Sequence, residues 1–532
     1  MIKRAYKKKI SLKEKIFLFV FTFFFLFVQV IGYHCAKFGS AKLLDIKTYC
    51  FLLFIPIFYF FFKILFNLSY QDKKCEKNIS SKKMFFLSFF LIFLSWLPII
   101  ISFYPNNFAF DASTQVRMII YDCISTYHPV IHTVFLGGLL KLSALLFGTY
   151  TIGNFLYALI QAFLMDFIFS YFIVFLTREK APRWLVVLSL LLFMFLPTHS
   201  VLAISTTKDV IFSGIILLLV IKFYHIATNK YYLESKKNIT CVIILLFFAF
   251  IFRNNMVYAF LLFFIPCSIL LKKNWRKTII LFFIPLLLYG VYNFSLTKVL
   301  HIEKGPKVEA FSVIIQQLAR VYNMEKLTKE ESSMISRLYK NDSLKHYNPQ
   351  ISDPVKSEFD SNVLFSDITR YIKLYFRLGF KYPITYIDSV LMSNYGYFYF
   401  FDKLPINGTK TYIWTTCMSN DKDFSCTDDC NDNFIYHLYD QLLEKATYQK
   451  VPILNIFMNI GFNVFMMFFT ISLLIYRKKY QLCLSFYLLL SLFVTNLLGP
   501  VALMRYVYPI FVCLPFMLFI INKTWADKKE RS

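Results

Sequence analysis

The sequence predicts an all-α polytopic membrane protein of about twelve transmembrane helices. Three observations lead there. Of its 532 residues 58% are hydrophobic and 20% aromatic, well above the roughly 45–50% apolar content of a soluble domain. The apolar residues fall in blocks of about 17–25, the length of a bilayer-spanning helix. The basic residues sit in the short gaps between those blocks, which accounts for a net charge of +27 without nucleic acid as a partner. An ordinary soluble enzyme, a disordered chain and a fibrous repeat are all excluded.

Read in order, the apolar runs place spans at 16–33, 49–66, 84–103, 150–176, 184–198, 209–227, 239–252, 255–271, 278–296, 451–476, 481–498 and 503–522. Residues 1–83 form a basic N-terminal segment with two spans. Residues 84–296 form a membrane core with an outer loop at 104–149, and 451–532 supply three spans and a tail. The segments 1–15, 67–83, 177–183, 228–238, 272–277, 477–480 and 523–532 hold 29 Lys and Arg, against eight in the short loops of the opposite face. Positive charge concentrates in cytoplasmic loops, so a multi-pass cell-membrane protein with both termini cytoplasmic is expected. The apolar run 130–148 is set aside as a helix lying at the outer interface, because a further span there would put Arg178, Lys180 and Arg183 outside. The N-terminal run is too long for a cleaved signal peptide and lacks a small-residue cleavage site.

The long segment 297–450 then faces outward. It carries 19 basic and 19 acidic residues, and helical apolar spacing over 309–322, 329–339, 365–380 and 433–446 predicts a mainly helical extracytoplasmic domain. Aromatic-rich 382–401 is expected to rest on the membrane surface, where Tyr is favoured. Cys417, Cys426 and Cys430 cluster there, and one structural disulfide with a leftover thiol suits them better than a zinc site, which needs a fourth ligand.

Acidic residues in or beside the membrane need a reason, because a charge at the bilayer centre costs about 2.5–3.5 kcal/mol. Asp111 follows a span by eight residues, among aromatics; it is either a helix cap or a carboxylate that deprotonates an acceptor hydroxyl or holds a cation. His128 and His132, four apart, share a helical face and either bind a phosphate or metal or bond to backbone. Lys208 and Asp209 open the span at 209–227 and either neutralise each other at a helix mouth or hold a phosphate oxygen. Arg253 and Arg505 are two of the eight basic residues on the disfavoured face. Guanidinium geometry suits a lipid phosphate; a salt bridge to Asp166 or Asp209 is the competing role. Asn254 and Tyr506 stand beside them and complete the substrate-binding set.

With Tyr104-Pro105 to Asp111, then Tyr127-His128-Pro129 to Leu145-Leu146-Phe147-Gly148, the chain resembles the GT-C superfamily of integral-membrane glycosyltransferases. Asp111 with Gln115, His128-Pro129 with Thr133, Thr207-Lys208-Asp209, Arg253-Asn254-Asn255, Gln316-Gln317-Leu318-Ala319-Arg320 and Arg505-Tyr506-Val507-Tyr508-Pro509 more closely resemble a group of polytopic Gram-positive bacterial proteins known only as a domain of unknown function. The first resemblance implies a GT-C-like fold and a catalytic Asp111. It also implies a polyprenyl-phosphate sugar as donor, a cell-surface glycan, teichoic acid or lipid-linked acceptor, and a site on the extracytoplasmic face. Many members pair two acids in this loop, some with a divalent cation such as Mg or Mn; here Ala112 follows Asp111, and Asp209 is the candidate second acid. A polysaccharide polymerase or ligase and a lipid-linked oligosaccharide flippase or transporter are the alternatives. Against a transporter, the charges gather at one mouth and no internal repeat is visible.

Overall fold

The computed structural model describes residues 10–41, 46–68, 80–401, 415 and 433–529, and the described residues are helical with only isolated β-bridges. The basic segment 1–9 and Cys417, Cys426 and Cys430 lie outside the described residues.

α1 (Leu12–Phe38), α2 (Ile55–Phe66) and α3 (Ser81–Ser102) come first. The ends of α1 are written in its sequence: Ser11 and Glu14 exchange side-chain-to-backbone bonds in a capping box, and Gly39 closes the helix in the left-handed region at φ 65°. The short α4 (Ala112–Ile120) and α5 (Val130–Phe147) follow, then α6 (Thr151–Arg178), α7 (Arg183–Phe195), α8 (Pro197–Ala203), α9 (Lys208–Thr228), α10 (Lys236–Phe252), α11 (Met256–Leu270) and α12 (Trp275–Phe294). α9 is buried on nearly every side, against α6 and α10 and against two C-terminal helices. α5 packs antiparallel on the first turns of α6. That approach needs Gly153, because a Cβ there would stand 2.4 Å from the Leu139 carbonyl oxygen.

Among the described residues eight helices are long and apolar enough to cross a membrane, or ten if each bent pair is one span, by length and composition. The run 239–252 becomes the 17-residue α10, at the lower end of bilayer-helix length, and α11 is 15 residues. α5, which the sequence reading set aside, passes on length and composition. Two of the expected spans are bent. Pro197 removes an amide and forces Leu196 to extended backbone, so α7 and α8 meet at 52°. α18 (Pro452–Met458) and α19 (Ile460–Tyr476), numbered after the polar region below, meet at 62° at Asn459, whose Oδ1 caps α19 by accepting from Phe462 N.

The polar region contains α13 (Ser312–Met324), α14 (Lys329–Ser336), α15 (Ile368–Lys381), α16 (Pro383–Asn394) and α17 (Phe434–Leu443). The first four share a core of their own around Ile315, Leu318, Ile335, Leu374 and Leu378. It is tied to the end of α1: Arg320 donates to the Gly39 carbonyl at 2.9 Å and pairs with Asp388, which accepts from Ala41 N. Residues 395–400 pack into the bundle. Gln29 of α1 donates to Phe398 O at 3.0 Å and accepts from Phe400 N at 2.7 Å, and Asn459 donates to Phe400 O at 2.8 Å. Side-chain amides in α1 and at the α18–α19 bend therefore satisfy backbone groups that lipid could not. α20 (Cys483–Asn496), α21 (Met504–Val512) and α22 (Leu514–Lys529) complete the chain.

Candidate functional site

Four chain segments meet at the end of the bundle that carries the polar region: the turn before α4, the start of α5, the N-terminus of α9, and the N-terminus of α21. Asp111 stands at the N-cap position of α4 yet makes no capping bond. Its carboxylate reaches across to Lys208 Nζ at 2.7 Å and to Arg505, whose NH1 donates to Oδ2 at 3.1 Å and NH2 to Oδ1 at 3.4 Å. The cap role is thus replaced by a charge cluster. Phe110, the preceding residue, takes φ 63°, a strained conformation for a bulky side chain, and its ring lies 4.7 Å from the Arg505 guanidinium carbon.

Behind this layer sits a second ion pair. Arg253, at the end of α10, pairs with Asp209 at 3.2 Å and donates to Asn496 Oδ1 at 3.1 Å and Tyr506 O at 3.3 Å. The Tyr506 ring lies between the two guanidinium groups, 5.1 Å from Arg253 and 5.0 Å from Arg505. Lys208 and Asp209 therefore do not neutralise each other. Successive residues of α9 point to different partners, Lys208 to the front carboxylate and Asp209 to the rear guanidinium. The salt-bridge role weighed for Arg253 is the one the structure gives it.

His128 completes the front layer. Its Nδ1 lies 3.4 Å from Lys208 Nζ and 3.9 Å from Asp111 Oδ2. Burial, then the nearby Lys208, push this imidazole down to about 4, so it is neutral near pH 7. Accepting from Lys208 places its proton on Nε2, which is buried without a hydrogen-bond partner among the described residues. Burial alone would raise Asp111, but Lys208 and Arg505 outweigh it and hold the carboxyl well below the usual range.

His132 is elsewhere in role. Fully buried, it contacts Gln115 Oε1 at 3.1 Å and Tyr157 OH at 2.8 Å, and Tyr157 leads to Gln161, which donates to the carbonyls of Ala203 and Ser205. This polar chain fixes α5 against α6 and the α8–α9 turn. Asn254 is exposed and donates to Thr126 O at 3.4 Å, steadying the loop that carries His128. Asp122 pairs with Lys141 in solvent, and Asp166 is buried in α6 with Ser170 as its bonding partner. Sequence reading missed Asn496 and Phe110. Asn496 had a visible signal, a polar side chain at the end of an apolar run; Phe110 among other aromatics had none.

The cluster holds two carboxylates and three permanent cations, so its formal charge is +1 with His128 neutral. Asp111 is the part that water reaches, with 28% of its side chain exposed, while Asp209 is 1% exposed. An excess cation at a partly open site suits an anion. It does not suit a divalent metal: both carboxylates are taken by cations, and among the described residues no three His, Cys, Asp or Glu stand together as ligands.

Residues 121–532 match a family described as a family of unknown function, DUF6020, and the chain belongs to it. No curated protein and no solved structure matches the chain.

Proposed function

We propose that the protein is a membrane glycosyltransferase that moves a sugar from a polyprenyl-phosphate donor to a glycan, teichoic acid or lipid-linked acceptor on the outer face of the cell membrane. The observation that carries the reading is the partly open cluster of +1 charge around Asp111. In this reading the polar region and the cluster face outward, and both termini are cytoplasmic, as the Lys and Arg census requires.

The donor phosphodiester carries one negative charge, which matches the surplus of the site. Its oxygens compete with Asp111 for Lys208 and for the two-pronged Arg505, and His128 Nε2–H supplies a further donor. Once its cations are shared with phosphate, Asp111 regains basicity and accepts the proton of the acceptor hydroxyl. The acceptor oxygen bonds to the anomeric carbon as the bond from that carbon to the phosphate oxygen breaks, and the electron pair leaves with the phosphate. Lys208 and Arg505 stabilise that growing charge. Arg253 and Asp209 act behind them, holding Arg505 and Tyr506 in place.

The bent pairs α7–α8 and α18–α19 favour a second reading, a lipid-linked oligosaccharide flippase, because broken helices are common in transporters. Glycan composition in cells carrying Asp111→Asn decides between them. Loss of one sugar substituent, with the chain still inserted at wild-type level, supports transfer. An unchanged glycan with Asp111→Asn and a changed one on deletion supports the flippase or a polymerase.

A further inference from the structure

α15 offers a lipid-binding surface that does not depend on the transferase reading. On a helical projection, Tyr371, Leu374 and Leu378 point into the core of the polar region. A second arc carries Ile368, Ile372, Phe376 and Phe380 at four-residue spacing, and these are 42 to 85% exposed. Ile384 and Ile387 of α16 extend it, each 61% exposed. Opposite that arc lie Arg370, Arg377 and Lys381, paired with Glu330 and Glu331 of α14. A polar domain bathed on all sides by water does not leave such a stripe open.

The height of α15 says what covers it. Asp388 is bonded to Ala41 N, and its partner Arg320 to Gly39 O, so this turn of α16 stands level with the end of the apolar α1. Tyr386 is two residues away, and its hydroxyl donates to Tyr375 O at 2.8 Å, while Gly379 lies against its ring. The middle of α15 is therefore held at the level where the apolar belt of α1 ends. Phe38, the last residue of α1, is itself exposed.

We propose that α15 is an interfacial helix whose Ile368–Ile372–Phe376–Phe380 stripe lies in the headgroup and upper acyl region of the bilayer. A helix of this pattern buries its apolar face about 5–10 Å deep. Its Lys373, between the apolar arc and the paired cations, faces lipid phosphate. The contact steadies the polar region over the site, because loop 348–352 of that region touches the segment leading to Arg505: Ser352 N donates to Pro500 O at 3.0 Å.

The test uses the full chain in phosphatidylcholine–phosphatidylglycerol vesicles, with the photo-crosslinker p-benzoylphenylalanine in place of Phe376 or Phe380. Phe90, exposed on α3 within a span, is the positive reference, and the exposed Lys345 the aqueous one. Lipid adducts at positions 376, 380 and 90, and none at 345, are expected. Three outcomes overturn the proposal: adducts from 376 and 380 to residues 402–432 of the same chain, adducts of twice the chain mass, or no lipid adduct at either position. A single exposed side chain is exchanged in each case, so failure to fold does not cloud the result.

Discussion

Asp111→Asn separates the proposed chemistry from its rivals because it should move binding and transfer in opposite directions. The carboxylate shares Lys208 and Arg505 with the incoming phosphate, and it repels that phosphate from a distance of roughly 5 Å. At an effective dielectric of about 20, two unit charges at that distance interact by roughly 3 kcal/mol. Partial solvent exposure and salt reduce this to about 1.4–2.8 kcal/mol. Removing the charge raises the cluster from +1 to +2, so Asp111→Asn should bind a polyprenyl phosphate about 10–100 times more tightly. Transfer should meanwhile fall by about 10²–10⁴, the contribution of a general base. Binding is read with radiolabelled polyprenyl phosphate and protein in lipid nanodiscs, and transfer from the cell-surface glycan. Weaker binding by the Asn variant would mean that the carboxylate helps to hold the ligand, as a metal ligand would, and would refute the charge argument. Normal transfer would move the base elsewhere.

Four further outcomes follow from the same geometry. Arg505→Lys loses the two-pronged contact, and Lys208→Gln loses the close cation, so each should weaken polyprenyl-phosphate binding by about 10–100-fold; equal affinity in either variant removes that residue from the site. The Arg253–Asp209 pair is buried, so Arg253→Gln leaves Asp209 only the longer 3.9 Å contact to Arg505 and should cost up to about 3–5 kcal/mol of stability. The Arg253→Gln/Asp209→Asn double variant should recover part of it, read as thermal unfolding in detergent. Binding and transfer should be unaffected by chelation with EDTA or by added Mg or Mn, and a tight, stoichiometric metal in the purified protein would contradict the charge assignment. His128 is held at about 4, below its ordinary 6.5, so between those values the unfolded chain binds a proton that the folded chain refuses. Stability should therefore fall as pH drops from 6.5 towards 4, and His128→Gln should flatten that part of the pH–stability curve.

Some of this was legible in the sequence and some was not, for physical reasons. Charge in an apolar setting is expensive, so Asp111, Lys208, Asp209, Arg253 and Arg505 announced themselves by position alone. Which carboxylate meets which cation was hidden, because the partners are up to 394 residues apart and chain order carries no distance. Adjacency misled at Lys208-Asp209, where consecutive positions on a helix point about 100° apart and so reach different layers. Spacing misled at His128 and His132: α5 begins only at Val130, so His128 in the preceding loop joins the cluster while His132, on the helix, meets Gln115 and Tyr157. The membrane content was plain from composition, but the number of spans was not. Hydropathy registers apolar length, and it does not register that Pro197 and Asn459 bend two runs or that Gln29 and Asn459 draw residues 395–400 into the bundle.

The family match begins at residue 121, ten residues after the carboxylate on which the proposed chemistry turns. His128, Lys208 and Arg505 all lie inside the matched region, and each is within 4 Å of Asp111. A chain lacking Asp111 would hold Lys208 and Arg505 part-buried and close together, with only Asp209, 3.9 Å from Arg505 Nε, left as a counter-ion. Two like charges so placed repel, so an acid supplied from the turn before α4 stabilises the arrangement that the matched region builds. That turn is fixed to the matched region by backbone as well as by charge: Asn107 N donates to Ile204 O at 3.3 Å, and Thr206 N to Asn107 O at 3.1 Å. The site is thus built across the boundary of the match, and its most informative residue is one that the matched region can orient but cannot supply.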